Sequence, residues 1–184
     1  YREGAIDPDR KELTTMKNLN TYARECLAEL NAIGIYPNEI SAWKTTRALH
    51  RWGTCSYTTR NCAYTIIINK VLLTDDAPVK GLKETILHEL LHAVDGCLNH
   101  GYKWTTLVNK VNSTYGYEIQ QTDDFEHKGF ETDPMDAQYK YRLTCEGCGH
   151  VYKYSRMCST IKSACNHKAR CSCGSSNFKL ITTR

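Results

Sequence analysis

The segment 82–94 constrains the fold of this chain more than any other. Its leucines, isoleucine and valine recur at helical spacing and predict a largely buried helix that Gly96 ends. Inside this apolar pattern stands the pentapeptide His-Glu-Leu-Leu-His, residues 88–92. Side chains at positions i and i+4 of a helix project from one face about one turn apart, so His88 and His92 lie near enough to share one ion.

This pattern, H-E-x-x-H, is typical of sites in which two imidazoles bind zinc and the glutamate takes a proton from water that the metal activates. Neutral nitrogen ligands suit zinc, and a carboxylate that is not a ligand can act as the base. We therefore predict His88 and His92 as ligands of a catalytic Zn²⁺ and Glu89 as the general base. The alternative is that the histidines are hydrogen-bonded core residues.

A third protein ligand is required, and the sequence offers two candidates. His100 follows His92 after seven intervening residues, and Gly96 between them allows the chain to turn back toward the metal. Glu118 is the other candidate, but it falls after the glycine that ends the next predicted helix. We predict His100 as the third ligand.

The cysteines divide the chain into two parts. Four are scattered through the first 144 residues, and six lie between Cys145 and Cys173. The C-x-x-C pair at Cys145 and Cys148, in a chain without a secretory signal, favours a metal site over disulfides. A second Zn²⁺, with a structural role, is therefore predicted in this segment.

The net charge changes near the same place. From residue 137 onward the chain has nine lysines and arginines and one acid, Glu146, for a charge of +8, whereas residues 1–136 carry −4. A module this basic attracts phosphate backbones, although small cysteine-rich modules are also basic for solubility. The stretch 122–138 between the two parts is acidic and lacks apolar periodicity, so we predict a surface linker or loop there.

The remaining pattern predicts an α+β fold, with helices packed on one small sheet. Helical periodicity begins at Met16 and at Trp104, and β-branched and aromatic residues favour strands at 39–43 and 64–69, with 54–62 as a turn-forming loop. No apolar run approaches the roughly 20 residues needed to cross a bilayer. We expect an intracellular protein, cytoplasmic or in the nucleoid or nucleus, without membrane contact.

Several segments in a fixed order resemble the SprT-like (Spartan-type) zinc metalloprotease family. They are RWGTCSYTTRNCAYTIIINKVLL, LKETILHELLHAV, NHGYKW and YRLTCEGCGHVYKYSR. The resemblance implies a zincin-like domain over 16–121, after an N-terminal extension 1–15, and a basic zinc ribbon over 139–184. It implies that His88, His92 and His100 bind zinc and that Glu89 is the base. It also implies a protein substrate trapped on DNA, with single-stranded or junction-containing DNA as a partner of a monomeric enzyme.

The chain departs from the family pattern in the ribbon. The family has two C-x-x-C pairs, whereas the second pair here is Cys171 and Cys173, separated by one residue. We predict Cys145, Cys148, Cys171 and Cys173 as the structural zinc ligands. Three other side chains are chemically fit to replace a member of the second pair: Cys158, Cys165 and His167.

Two other functional classes are compatible with the sequence. The first is a nucleic-acid-binding or adaptor protein whose zinc sites are only structural, and the second is a general peptidase that is indifferent to DNA. Zinc content and the effect of DNA on proteolysis separate these classes from a DNA-associated protease.

Overall fold

Helices and two small sheets alternate along the chain in the computed structural model, which describes residues 16–183 except the side chain of residue 137. The chain forms two compact units that divide between Thr132 and Asp133. The α+β class predicted from the sequence is confirmed, while the zincin-like packing of the first unit stays a prediction. The predicted N-terminal extension, 1–15, lies outside the described residues.

The sheet of the first unit has three strands: β1 (Ile40–Thr46), β2 (Gly53–Thr58) and β3 (Ala63–Asn69). The central strand is β3, which pairs in parallel with β1 and antiparallel with β2. The prediction of a loop at 54–62 is confirmed for 59–62, which form the turn before β3, and was wrong for 54–58, which belong to β2. The residues of β2 are mostly polar because it is an edge strand, so no apolar periodicity marks it in the sequence. The strand is identified by its pairing with β3.

Three helices complete the first unit: α1 (Leu19–Ala32), α2 (Val79–His92) and α3 (Tyr102–Tyr115). Asn18 caps the start of α1 by accepting from the backbone N–H groups of Asn20 and Thr21, and Gly116 ends α3 in the left-handed conformation. The core lies between these helices and the buried face of β3, and α2 is at its centre, with ten of its fourteen residues buried.

Residues 122–132 form a loop without helix or strand, which agrees with the predicted surface linker or loop, but this loop belongs to the first compact unit and is partly buried. Lys128 is only 2% exposed and pairs with Asp123, and the Phe130 ring stacks on Trp52 with centroids 5.9 Å apart. A lysine can be buried when a carboxylate neutralises it, and no periodic pattern in the sequence reports such a pair. The other predicted domain boundaries stay predictions.

The second unit contains a three-stranded antiparallel sheet and one short helix. Its strands are β4 (Tyr141–Cys145), β5 (Val151–Tyr154) and β6 (Phe178–Thr182), in the order β5-β4-β6, and its helix is α4 (Ser159–Cys165). Few large apolar side chains are buried in this unit, among them Leu143 and Ile161. A core this small needs a further source of stability.

Among the described residues, 16–183, every helix is too short or too polar to cross a bilayer.

Candidate functional site

Helix α2 and the turn that follows it position three histidines together. His88 and His92 lie one turn apart on α2, as their spacing predicts. The helix ends at His92, and Gly96, with φ of 74°, reverses the chain so that His100 reaches the same place. The Nε2 atoms of the three rings lie 3.1–3.2 Å from one another.

Backbone carbonyls hold the outer nitrogens of two of these rings. His88 Nδ1 lies 2.9 Å from the Gln120 carbonyl, and His92 Nδ1 lies 2.7 Å from the Cys97 carbonyl. A carbonyl can only accept, so Nδ1 carries the proton in both neutral rings and Nε2 is left with a lone pair. Lone pairs this close repel one another unless a cation lies between them.

The spacing of these nitrogens fits zinc. Zn–N bonds of about 2.0–2.1 Å at tetrahedral angles place the nitrogens roughly 3.3 Å apart, close to the spacing of the three Nε2 atoms. Burial, together with the neighbouring His92 and His100, lowers the pKa of His88 to about 3. Burial also lowers the pKa of His92 and of His100. The rings are therefore neutral at physiological pH, which is the form that binds a metal.

The alternative third ligand, Glu118, does not join this group. Its carboxylate is exposed and pairs with Lys80. Its backbone N–H donates to the buried Glu84 carboxylate at 2.8 Å. Glu118 therefore belongs to a structural network at the edge of the site.

Glu89, beside the histidines, is 5% exposed and lies against the start of β2. A Cβ atom at Gly53 would be 2.6 Å from Glu89 Oε1, so only glycine allows this approach. Burial raises the pKa of Glu89 to about 8, even though the backbone N–H of Cys55 and the charge of Lys128 oppose this rise. The strand thus holds the carboxylate by its backbone, a role that the prediction of a loop at 54–62 missed.

Trp104 packs its ring against the rings of all three histidines. It is 1% exposed, and its ring lies 4.8 Å from the ring of His88, 5.4 Å from that of His92 and 4.5 Å from that of His100, between centroids. The apolar periodicity of α3 predicted that Trp104 is buried but not where it packs.

Residues 118–130, which we call the strap, pass along the His88 side of the site. The Gln120 carbonyl that holds His88 belongs to the strap, and so do Asp123 and Lys128. A cavity of about 220 Å³ opens between the strap, α2 and the residues before β2. It is lined by residues that include Arg51, Glu89 and Lys128, so it reaches the predicted base.

The four predicted ribbon cysteines also come together. The Cys145 and Cys173 sulfurs lie 3.6 Å apart, as do those of Cys148 and Cys171, and all four lie within 4.8 Å of one another. Tetrahedral zinc with Zn–S bonds of about 2.3 Å needs sulfurs roughly 3.8 Å apart. Among the described residues, this group includes none of the three alternative ligands at 158, 165 and 167.

Two tight turns bring the cysteine pairs into place. In the first, the Gly149 N–H donates to the Cys145 carbonyl at 2.8 Å. In the second, the Gly174 N–H donates to the Cys171 carbonyl at 2.8 Å, one residue shorter, and Gly174 has φ of 90°. A left-handed glycine, Gly149 or Gly174, therefore follows each cysteine pair, the narrower C-x-C pair included.

The basic residues of the second unit are partly neutralised. Asp136 pairs with both Arg142 and Lys153, which are register partners on β4 and β5. These two ion pairs lower the pKa of Asp136. Lys179 on β6 shares their face of the sheet, because its partner Thr144 is two residues from Arg142.

The chain matches a known protein family over more than half of its length. The family described as SprT-like matches residues 20–124, which include the three histidines, Glu89 and the first seven residues of the strap. That family is associated with metallopeptidase activity. No curated protein matches the chain at a significant level.

Proposed function

Because the chain belongs to the SprT-like family, we propose that it is a zinc-dependent metalloendopeptidase that acts on DNA-bound or DNA-crosslinked proteins. One Zn²⁺ would be held by His88, His92 and His100, and a second, structural one by the four-cysteine group. The proposed partners are a protein substrate and single-stranded or junction-containing DNA.

The convergence of three imidazole Nε2 atoms beside a buried carboxylate carries the enzymatic part of this proposal. Three protein ligands leave a fourth position of tetrahedral zinc for substrate or water. A purely structural zinc site uses four protein ligands, and among the described residues the group contains three.

A zinc ion held by His88, His92 and His100 would supply a Lewis acid for the substrate carbonyl and for water. Glu89 takes the proton of the attacking water and passes it to the departing amine. Its position depends on Gly53 and the backbone N–H of Cys55, since these face the carboxylate from β2. The carbonyls of Gln120 and Cys97 fix the tautomers of His88 and His92.

The variant Glu89→Gln tests the role of the base. It should lower peptide hydrolysis at least about 100-fold, because the amide cannot accept the proton, while the zinc content stays at two ions per chain. Glu118→Gln is the matched control, since Glu118 is an exposed acid outside the histidine group. Normal hydrolysis by Glu89→Gln would remove this residue from the role, and loss of zinc from Glu118→Gln would revive the alternative ligand.

The DNA part of the proposal is supported by the basic second unit, where Lys153 and Lys179 share one face of the sheet. A protein crosslinked to single-stranded DNA should be cleaved faster than the same protein free in solution. The double variant Lys153→Gln/Lys179→Gln should reduce this preference and make DNA binding less sensitive to salt. The slope of the logarithm of the DNA-binding constant against the logarithm of salt concentration should be smaller by roughly 0.7 for each phosphate that the variant no longer neutralises.

The exposed Lys44 on β1 provides the control, and Lys44→Gln should leave the preference unchanged. Equal cleavage of free and crosslinked protein would favour a general peptidase. Binding of DNA without any cleavage would favour an adaptor protein.

A further inference from the structure

The strap contains a buried ion pair that the proposed chemistry does not use. The Lys128 ammonium contacts the Asp123 carboxylate, and the two side chains are only 2% and 7% exposed. Within the part of the chain that the structure describes, buried Asp123 Oδ1 accepts no hydrogen bond, and His127 Nε2 lies 3.5 Å away. Burying two charges carries a large desolvation cost, so the net contribution of this pair to the stability of the fold is small. Its presence therefore needs another explanation.

Contacts on both sides of the strap hold it close to α2 and to the residue before β2. A Cβ atom at Gly81, in the first turn of α2, would lie 2.5 Å from the Lys128 carbonyl oxygen, so the two backbones touch. On the other side, Trp52 Nε1 donates to the Asp123 carbonyl at 3.0 Å. The ion pair therefore lies between the helix that carries the histidines and the segment that leads to the strand behind Glu89.

The same strap supplies the carbonyl that orients the first histidine. Gln120 is three residues before Asp123, and its oxygen lies 2.9 Å from His88 Nδ1. The His127 ring, beside Lys128, lies 2.7 Å from the Glu118 carbonyl and closes the strap on itself. Both members of the ion pair belong to the strap, and their backbones make its contacts with Trp52 and Gly81, so release of the pair would loosen the segment that presents this carbonyl.

We propose that Lys128 is a positioning residue of the histidine site. Its ion pair with Asp123 holds the strap in place so that the Gln120 carbonyl keeps the His88 ring in its metal-binding orientation. The inference rests on the proposed function only in requiring that the histidine group binds a divalent metal. Groups of this kind, which orient a ligand through its other nitrogen, alter metal affinity about 10–100-fold.

The test measures metal affinity at both sites of the full chain, with Co²⁺ as the probe. Thiolate ligation adds a sulfur-to-metal charge-transfer band that histidine ligation lacks, so the two sites are followed separately. Lys128→Met should weaken Co²⁺ binding at the histidine site about 10–100-fold and leave the four-cysteine site unchanged. Lys110→Met, at an exposed lysine of α3, is the control and should change neither site.

A second variant guards against misfolding, because Lys128→Met leaves Asp123 buried and unpaired. The double variant Lys128→Met/Asp123→Asn contains no isolated charge and should fold, yet should show the same selective loss. Parental Co²⁺ affinity at the histidine site in a folded double variant would overturn the positioning role. Failure of the parent protein to bind Co²⁺ with its histidines would instead overturn the proposed function.

Discussion

At the scale of single residues, the site depends on groups that have no catalytic chemistry of their own. Gly53 allows the Glu89 carboxylate to lie against β2, and the Cys55 backbone N–H opposes the rise in its pKa that burial causes. Two carbonyls determine which nitrogen of His88 and of His92 remains free. The H-E-x-x-H motif supplies the base and two ligands, and these contacts fix their positions. Strand β2 holds Glu89, and the two carbonyls orient His88 and His92.

Gly53→Ala is expected to impair catalysis without removing metal. The new methyl group would lie 2.6 Å from Glu89 Oε1, so the carboxylate must move. A displacement near 1 Å can lower the rate about 100-fold. The measurement is kcat for a peptide together with zinc content, and Ser56→Ala, at an exposed position of the same strand, is the control. Unchanged kcat would show that the carboxylate has room to relax.

At the scale of elements, Asn69 at the end of β3 shapes the segment that leads into β2. It is fully buried, and its amide donates to the Ala48 carbonyl at 2.7 Å and the Arg51 carbonyl at 2.8 Å. Its backbone N–H donates to the Trp52 carbonyl at 2.8 Å. One side chain thereby determines the path of the loop from β1 to β2.

Asn69→Ala should destabilise the first unit, because it leaves two carbonyls of this loop without their donor. Each buried polar group that loses its partner costs about 1–3 kcal/mol. The free energy of unfolding, measured in urea with zinc present, should fall by roughly 2–6 kcal/mol. Asn61→Ala, in the exposed turn before β3, should have little effect. Equal destabilisation by both variants would contradict this role.

At the scale of the whole molecule, the two units depend on metal to different degrees. The first has a continuous core of three helices and a sheet. The second buries few large apolar side chains, and its four clustered cysteines connect the β4–β5 turn to the turn before β6. Metal binding should therefore supply much of the folding free energy of the second unit but little of that of the first.

Cys173→Ser tests this difference. It should reduce the zinc content from two ions to one and unfold the second unit, while peptide hydrolysis by the first unit persists. Cys165→Ser is the control, because Cys165 is exposed and lies outside the four-cysteine group. A Cys173→Ser protein that retains two zinc ions would show that another residue completes the site.

Much of the candidate site could be predicted from the sequence, because its ligands are carried by local patterns. The spacing of His88 and His92 needs only helical geometry, and Gly96 marks the turn that brings His100 back. The C-x-x-C pair likewise predicts one half of the cysteine group, because its two cysteines are close together in the sequence. Local patterns of this kind depend on neighbours within a few residues.

The contacts that hold the metal ligands and the base in position could be seen only in the tertiary structure. The edge strand β2 forms because it pairs with β3. The side chain of Lys128 in the strap can be buried because Asp123 pairs with it. The C-x-C spacing left the second cysteine pair undecided, and the left-handed turn at Gly174 closes it. The strand β2 and the burial of the ion pair depend on contacts with other parts of the folded chain, which no periodicity in the sequence records. The turn at Gly174 is local, but the sequence spacing alone did not show that it brings Cys171 and Cys173 to the other two cysteines.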